Sequence, residues 1–255
     1  MIGPAVQKEM AVRIAPRWQI GVAVFIAYTV WVMSFWAWFG IDYTAIGTQA
    51  NLLRAVILPL GLAALALIAF ILRAGWWSEV FREERVRKPV FLIILLALLL
   101  GFAGLNIQTT DWQEIGWQHT LVLAAAMLLV GFCEEVVTRG VLLVSLRGSL
   151  RSEARVWLCS SVLFGLLHAT NAFFGLGALA LVQVVLAFCA GTGLYLLRRL
   201  CGNLWFPMAA HALWDFSSFG HALAPSANPL AGTFVLGGFY VASLVIAFLM
   251  LRRGA

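Results

Sequence analysis

Long apolar runs separated by short polar segments set the pattern of the chain. The runs fall near residues 19–41, 53–74, 89–107, 117–135, 156–170, 176–197, 203–219 and 232–251. A bilayer hydrocarbon core of about 30 Å takes about 20 residues of helix to cross, so these runs predict about eight transmembrane helices. A lipid-embedded backbone must satisfy its own hydrogen bonds. The expected fold is therefore all-α: a polytopic integral membrane protein, a single transmembrane domain over 1–255 with no repeat and no soluble domain. The first run, Gln19 to Ile41, is too long for the apolar core of a cleavable signal, and it is expected to stay as the first span.

Composition agrees with the pattern. The chain is 63% apolar and 11% charged, with a mean hydropathy of +0.96, far from soluble averages. Seventeen Lys and Arg against eleven Asp and Glu give +6. The basic residues gather at the ends of apolar runs, so they read as topology signals rather than a nucleic-acid surface. Their order matters. Lys8, Arg13 and Arg17 come first, then Asp42, then Arg82, Arg85, Arg87 and Lys88 among acids, then Asp111 and Glu114. Arg147, Arg151 and Arg155 follow, then a neutral turn at Asn171, Arg198 and Arg199, a neutral loop at Pro225, and Arg252 with Arg253. The positive-inside rule places both termini in the cytoplasm; a bacterial inner membrane is the expected location. The mixed-charge segment Glu79 to Lys88 reads as a solvated helix or helix end. Trp76, Trp77, Trp112, Trp117 and Trp205 at run boundaries read as an aromatic belt. The four cysteines lack metal or redox spacing and read as small buried apolar residues.

Ionisable groups inside apolar runs cost about 2.5–3.5 kcal/mol each on insertion scales, and each needs a reason. Three sites stand out: Glu134, Glu135 and Arg139 in the fourth run, His168 in the fifth, His211 and Asp215 in the seventh. Glu135 and Arg139 are four apart, in the favourable order for a helical ion pair. That pairing leaves Glu134, about 100° further round the helix, free. Asp215 is likewise one turn from His211 and can orient its imidazole or share a ligand. Counting about 1.5 Å per residue puts Glu134 and His168 roughly 20 Å from Arg147 and Arg155, and His211 roughly 12 Å from Asn203. Comparable depth on the cytoplasmic side predicts one shared polar site. His119 and His221, at a boundary and in a loop, are assigned no role.

These residues resemble the signatures of the CAAX prenyl protease and bacteriocin-processing (CPBP) family, the type II CAAX endopeptidases: EExxxR at Glu134, Glu135 and Arg139, FxxxH at Phe164 and His168, and HxxxD at His211 and Asp215. Ser160 and Ser161, and Gly202 to Trp205 with Pro207, flank them as in the family, and a family-like core of about 117–219 is expected. The resemblance implies an intramembrane endopeptidase with a cavity open toward the cytoplasm, acting near the C-terminus of a membrane-associated substrate. It implies that Glu134 and His168 activate water, that His211 and Asp215 face the oxyanion, and that Glu135 and Arg139 hold their helix. A desolvated carboxylate makes a better base, and a donor in a low-dielectric cavity stabilises an oxyanion strongly.

The sequence departs from the family at two places. Thr138 stands where relatives often carry an aromatic residue, a change expected to affect packing. Asp215 stands where many carry Asn, and an ionised carboxylate cannot donate to an oxyanion. Asp215 is then protonated, or orients His211, or ligates a metal. The two histidines with Glu134 and Asp215 would be a zinc set with an open position, although no HExxH helix is present. A metal-free glutamate peptidase is the favoured reading and a zinc enzyme the alternative. Two further classes compete: a non-catalytic scaffold or immunity protein, and a proton-coupled transporter. The scaffold has no need of Glu134 beside a paired Glu135, and the transporter would show inverted repeats of broken helices. The expected partners are the bilayer and a membrane-associated protein or peptide, not nucleic acid; no feature specifies an oligomeric state. A CAAX substrate would need prenylation; bacteriocin precursors and C-terminal sorting tails are the other candidates.

Overall fold

The computed structural model describes residues 12–228 and 230–252, and these form an all-helical bundle. Lys8 and Arg253 lie outside the described residues. Seven helices are long and apolar enough to cross a membrane: α1 (Trp18–Phe39), α2 (Gln49–Ala74), α3 (Pro89–Gln108), α4 (Trp117–Arg147), α5 (Glu153–Phe174), α6 (Leu179–Cys201) and, last in the chain, α8 (Leu230–Leu251). Between α6 and α8 lies α7 (Trp205–Leu223), which at 19 residues has the length. Its His211, Asp215, Ser217, Ser218 and His221 dilute its hydropathy, and that polar content is where the site is built. The eight runs thus become seven spans by composition plus one polar helix in their midst.

The fourth run does not stop at Glu135. It continues to Arg147 as a 31-residue span, because Val136–Leu146 stays apolar once Arg139 is neutralised by its neighbour. Half of the most apolar window of α6 is buried inside the bundle, against 22% for α8, so α6 is central and α8 peripheral. Apolar side chains such as Leu65, Ile93, Leu128 and Leu181, all more than 60% exposed, form the belt that lipid covers. Glycines bring the central helices together. A Cβ on Gly131 of α4 would lie 2.6 Å from the Met208 carbonyl of α7, the close backbone approach that small residues permit in membranes.

Antiparallel crossing gathers the basic residues at one end of the bundle, and an ionic latch closes it. Glu83 accepts Arg147 Nη2 at 2.8 Å and Arg198 Nε at 2.7 Å, with Arg199 Nε 2.8 Å away. Glu153 meets Arg147 at 2.6 Å and Arg199 at 2.7 Å and accepts the Tyr195 hydroxyl. The Arg198 side chain is fully buried. The segment Glu79–Lys88 is the helix end that the sequence offered as one reading, and Arg82, Glu84, Arg85, Arg87 and Lys88 are exposed; Glu83 is the member that departs from a solvated role. The helix stops at Phe81, and the chain runs on without helix so that the Glu83 side chain, 8% exposed, reaches three guanidinium groups. Their need for a counter-charge outweighs one more helical turn.

Two smaller expectations are also corrected. Trp76 is fully buried, donating Nε1 to the Ile14 carbonyl at 2.7 Å, and Trp112 stacks on Phe216. Trp77, Trp117 and Trp205 remain on the surface. All four cysteines are free, but only Cys133 and Cys189 are buried; Cys159 is exposed and Cys201 half-buried. A thiol is apolar enough to face lipid, so burial was not required.

Candidate active site

The site is assembled where α4 changes its winding. From Val136 to Leu142 the helix is a π-helix, a wider turn that recurs at functional sites. The Thr138 hydroxyl donates to the Glu134 carbonyl at 2.5 Å and accepts Arg139 Nη1 at 2.8 Å. Arg139 Nη1 also bonds Glu135 Oε1 at 2.9 Å, and both side chains are completely buried. The expected pair therefore forms. Thr138, read from the sequence as a packing change, is part of its hydrogen bonding.

Glu135 has a second partner. His211 of α7 places Nδ1 3.1 Å from the same Oε1, and since a carboxylate oxygen only accepts, Nδ1 carries the hydrogen. His211 Nε2 then faces Asp215 Oδ2 at 3.4 Å and Glu134 Oε2 at 3.9 Å. Glu135 thus ties Arg139 to His211 and orients the imidazole across two helices. The charge count is informative: three carboxylates meet one guanidinium and one imidazole. With the imidazole neutral the net charge is −2, and net charge taken out of water is unfavourable.

Phe164 of α5 joins the third element. The Arg139 guanidinium lies 3.9 Å above its ring, a cation–π contact strengthened by desolvation. The ring also meets His168 edge-on at 5.2 Å and His211 at 5.7 Å. Gly191 of α6 leaves room for this group; a Cβ there would lie 2.6 Å from Arg139 Nη2 and 2.7 Å from Phe164. His168 stands apart from the knot, where α5 tightens into a 3₁₀ turn. Its Nδ1 is 3.0 Å from the Phe164 carbonyl, which can only accept. Nδ1 is therefore the donor, leaving Nε2 with a lone pair.

Glu134, His168, His211 and Asp215 line one cavity of about 290 Å³. Glu134 Oε2 takes no hydrogen bond from the protein although it is buried. The residues expected from helical depth to share a polar site do line one cavity. The wall continues through Trp36, Tyr43, Ile46, Asn171 and Gln183, which belong to the end of the bundle opposite the basic latch. None of the latch residues lines it. The latch and the close-packed Val136–Leu146 segment, fully or almost fully buried, occupy the way to the basic end.

A second polar chain on this wall escaped the sequence reading. Asn171 Nδ2 donates to Gln183 Oε1 at 2.8 Å, and Gln183 Nε2 donates to Tyr43 Oη at 2.6 Å. Burial pushes the Tyr43 hydroxyl up to about 12, so it keeps its proton. A glutamine inside an apolar run was the available signal. His119 and His221 instead bond the carbonyls of Gly47 and Thr109.

Whether these residues fit a metal is a matter of donors. Among the described residues no three His, Cys, Asp or Glu side chains are grouped to hold one; His211 bonds Glu135 through Nδ1 and turns Nε2 toward Asp215.

Residues 115–217 match the family described as type II CAAX prenyl endopeptidase Rce1-like. No curated protein and no solved structure matches the chain. The matched segment runs from the start of α4 into α7 and contains all six residues singled out in the sequence.

Proposed function

We propose, from the premise that over residues 115–217 this chain belongs to the Rce1-like family of type II CAAX prenyl endopeptidases, that it is a glutamate-type endopeptidase working without a metal. The coarser statement already holds: a CAAX-type protease embedded in the membrane, with a membrane-associated substrate. The observation that carries the finer reading is Glu134 Oε2, buried without a hydrogen bond from the protein, on a cavity that it shares with His168, His211 and Asp215.

In this reading a water in the cavity is held between Glu134 and His168 Nε2. Glu134 takes a proton as the water oxygen bonds to the scissile carbonyl carbon, and the negative charge moves to the carbonyl oxygen. The C–N bond then breaks and the leaving amine takes a proton from Glu134, giving an acid and an amine. The proton shared between His211 Nε2 and Asp215 faces the developing oxyanion. Asp215 thus orients His211 and leaves the imidazole as donor, and Glu135 and Arg139 fix that donor from behind. Preorganised donors of this kind contribute on the order of 10²–10³ in rate. A zinc ion would take His211 through Nε2, beside Glu134 and Asp215, so chelator separates the metal-free reading from its zinc alternative.

The charge asymmetry of the two ends supports termini in the cytoplasm, and a bacterial inner membrane remains the proposed location. The test is cleavage of co-expressed membrane substrates by wild type and Glu134→Ala at matched abundance, with and without chelator. Cleavage that disappears with Glu134→Ala and survives chelator is expected. Cleavage that persists without Glu134 would overturn the mechanism, and loss with chelator alone would restore zinc.

A further inference from the structure

The resemblance implied access from the cytoplasm, but the walls of the cavity lead elsewhere. On the basic side the route is closed by the Glu83 latch to Arg147 and the buried Arg198 and by Val137, Val141 and Leu142, none of which is exposed. On the opposite side the wall carries Tyr43, Thr170, Asn171 and Gln183. These are groups that can bond a peptide backbone. The amide chain from Asn171 to Gln183 to Tyr43 is ordered donor to acceptor, so the Tyr43 hydroxyl hydrogen is left over for a carbonyl in the passage.

We infer that the site is entered from the end of the bundle opposite the basic residues, and that its substrate is a membrane-anchored polypeptide presenting its scissile segment at the extracytoplasmic face. The inference rests on the protease reading for the nature of the substrate, and on geometry and charge for the side of entry. Among the described residues the basic end holds Arg13, Arg17, Arg73, Arg82, Arg85, Arg87, Lys88, Arg147, Arg151, Arg155, Arg198, Arg199 and Arg252 against Glu79, Glu83, Glu84 and Glu153, whereas the other end holds Asp42, Asp111 and Glu114 with Arg54. Such a bias fixes orientation through the cost of translocating Lys and Arg. A substrate whose cleavable tail lies in the cytoplasm would have to pass the latch. One whose tail lies outside meets the polar wall and, about one helical turn beyond Val130, Glu134.

The test separates access from chemistry. Val130 lines the cavity and Arg151 is exposed at the basic end. Val130→Cys and Arg151→Cys are made in the otherwise native chain, where none of the four native cysteines lines the cavity, and wild type serves as the blank. A charged, membrane-impermeant thiol reagent is applied to intact cells and to inverted vesicles. Val130→Cys modified in intact cells and Arg151→Cys only in inverted vesicles is the expected result. Both modified from the same side, or Val130→Cys modified from neither, overturns the proposal. A paired reporter then carries one cleavable segment on a single span in either orientation. Cleavage of the outward form only is expected, and cleavage of the inward form overturns the proposed substrate. If Val130→Cys labels as expected while purified wild type cleaves nothing, the protease reading fails and the side of entry stands.

Discussion

At the scale of single residues, Arg139 is the member on which the others depend. It binds Glu135 and Thr138 and lies on Phe164, and all four side chains are buried. Arg139→Ala takes the guanidinium from buried Glu135 and leaves it His211 alone, a broken buried pair of the kind that typically costs about 3–5 kcal/mol. Lysine has one point charge in place of a planar fork and will not restore both contacts. Thr138→Val removes one acceptor and leaves one buried donor open, a smaller loss of about 1–3 kcal/mol. Thermal unfolding in detergent should therefore rank wild type above Thr138→Val above Arg139→Ala. A Thr138→Val protein as stable as wild type would return that residue to the packing role read from the sequence.

At the scale of elements, the contact between α4 and α7 decides whether the site exists. Gly131 lies one turn before Glu134 and against the backbone at Met208 and Ala212, the latter beside His211. Gly131→Ala puts a methyl 2.6 Å from a carbonyl that cannot move without its helix, so α7 must shift and the 3.1 Å bond from His211 to Glu135 must lengthen. Misplacement of about 1 Å can lower a rate by about 10², and cleavage should fall by that order while helical content by circular dichroism stays the same. Unchanged activity would mean that the two helices can separate by the width of a methyl without disturbing the site. The loop between α1 and α2 offers a pH prediction. Asp42 accepts the Thr44 hydroxyl at 2.7 Å and its amide at 2.8 Å, which hold its carboxyl below the ordinary value of 3.8. A lowered folded value gives stabilisation that is present above the unfolded value and lost as pH falls through the folded one. The protection of the Thr44 amide from hydrogen exchange, relative to its intrinsic rate at each pH, should hold at neutral pH and fall only in strong acid, and Asp42→Asn should remove that pH dependence.

At the scale of the whole molecule, the latch and the cavity divide the bundle into a closed basic end and a polar-walled opposite end. Glu83→Ala strips the counter-charge from the buried Arg198, a change of the kind that costs about 3–5 kcal/mol; it should lower the unfolding temperature more than Glu84→Ala, whose side chain is exposed. Equal effects would mean that Glu83 is dispensable to closure. Much of this architecture could be read from the chain alone. Spans follow from run length, because lipid tolerates only self-satisfied helices. The ends sort by charge because Lys and Arg resist translocation, and the pairing of Glu135 with Arg139 follows from helical spacing. Those are local properties, set by near neighbours and by the solvent. Only the tertiary structure decided that Glu135 also holds His211, that Thr138 and Phe164 secure Arg139, that Glu83 leaves its helix to reach three arginines, and that the cavity leads away from the basic end. Each depends on which faces of separate helices meet. Apolar runs this uniform leave that choice undetermined until close-packed glycines and a few buried polar bonds select one arrangement.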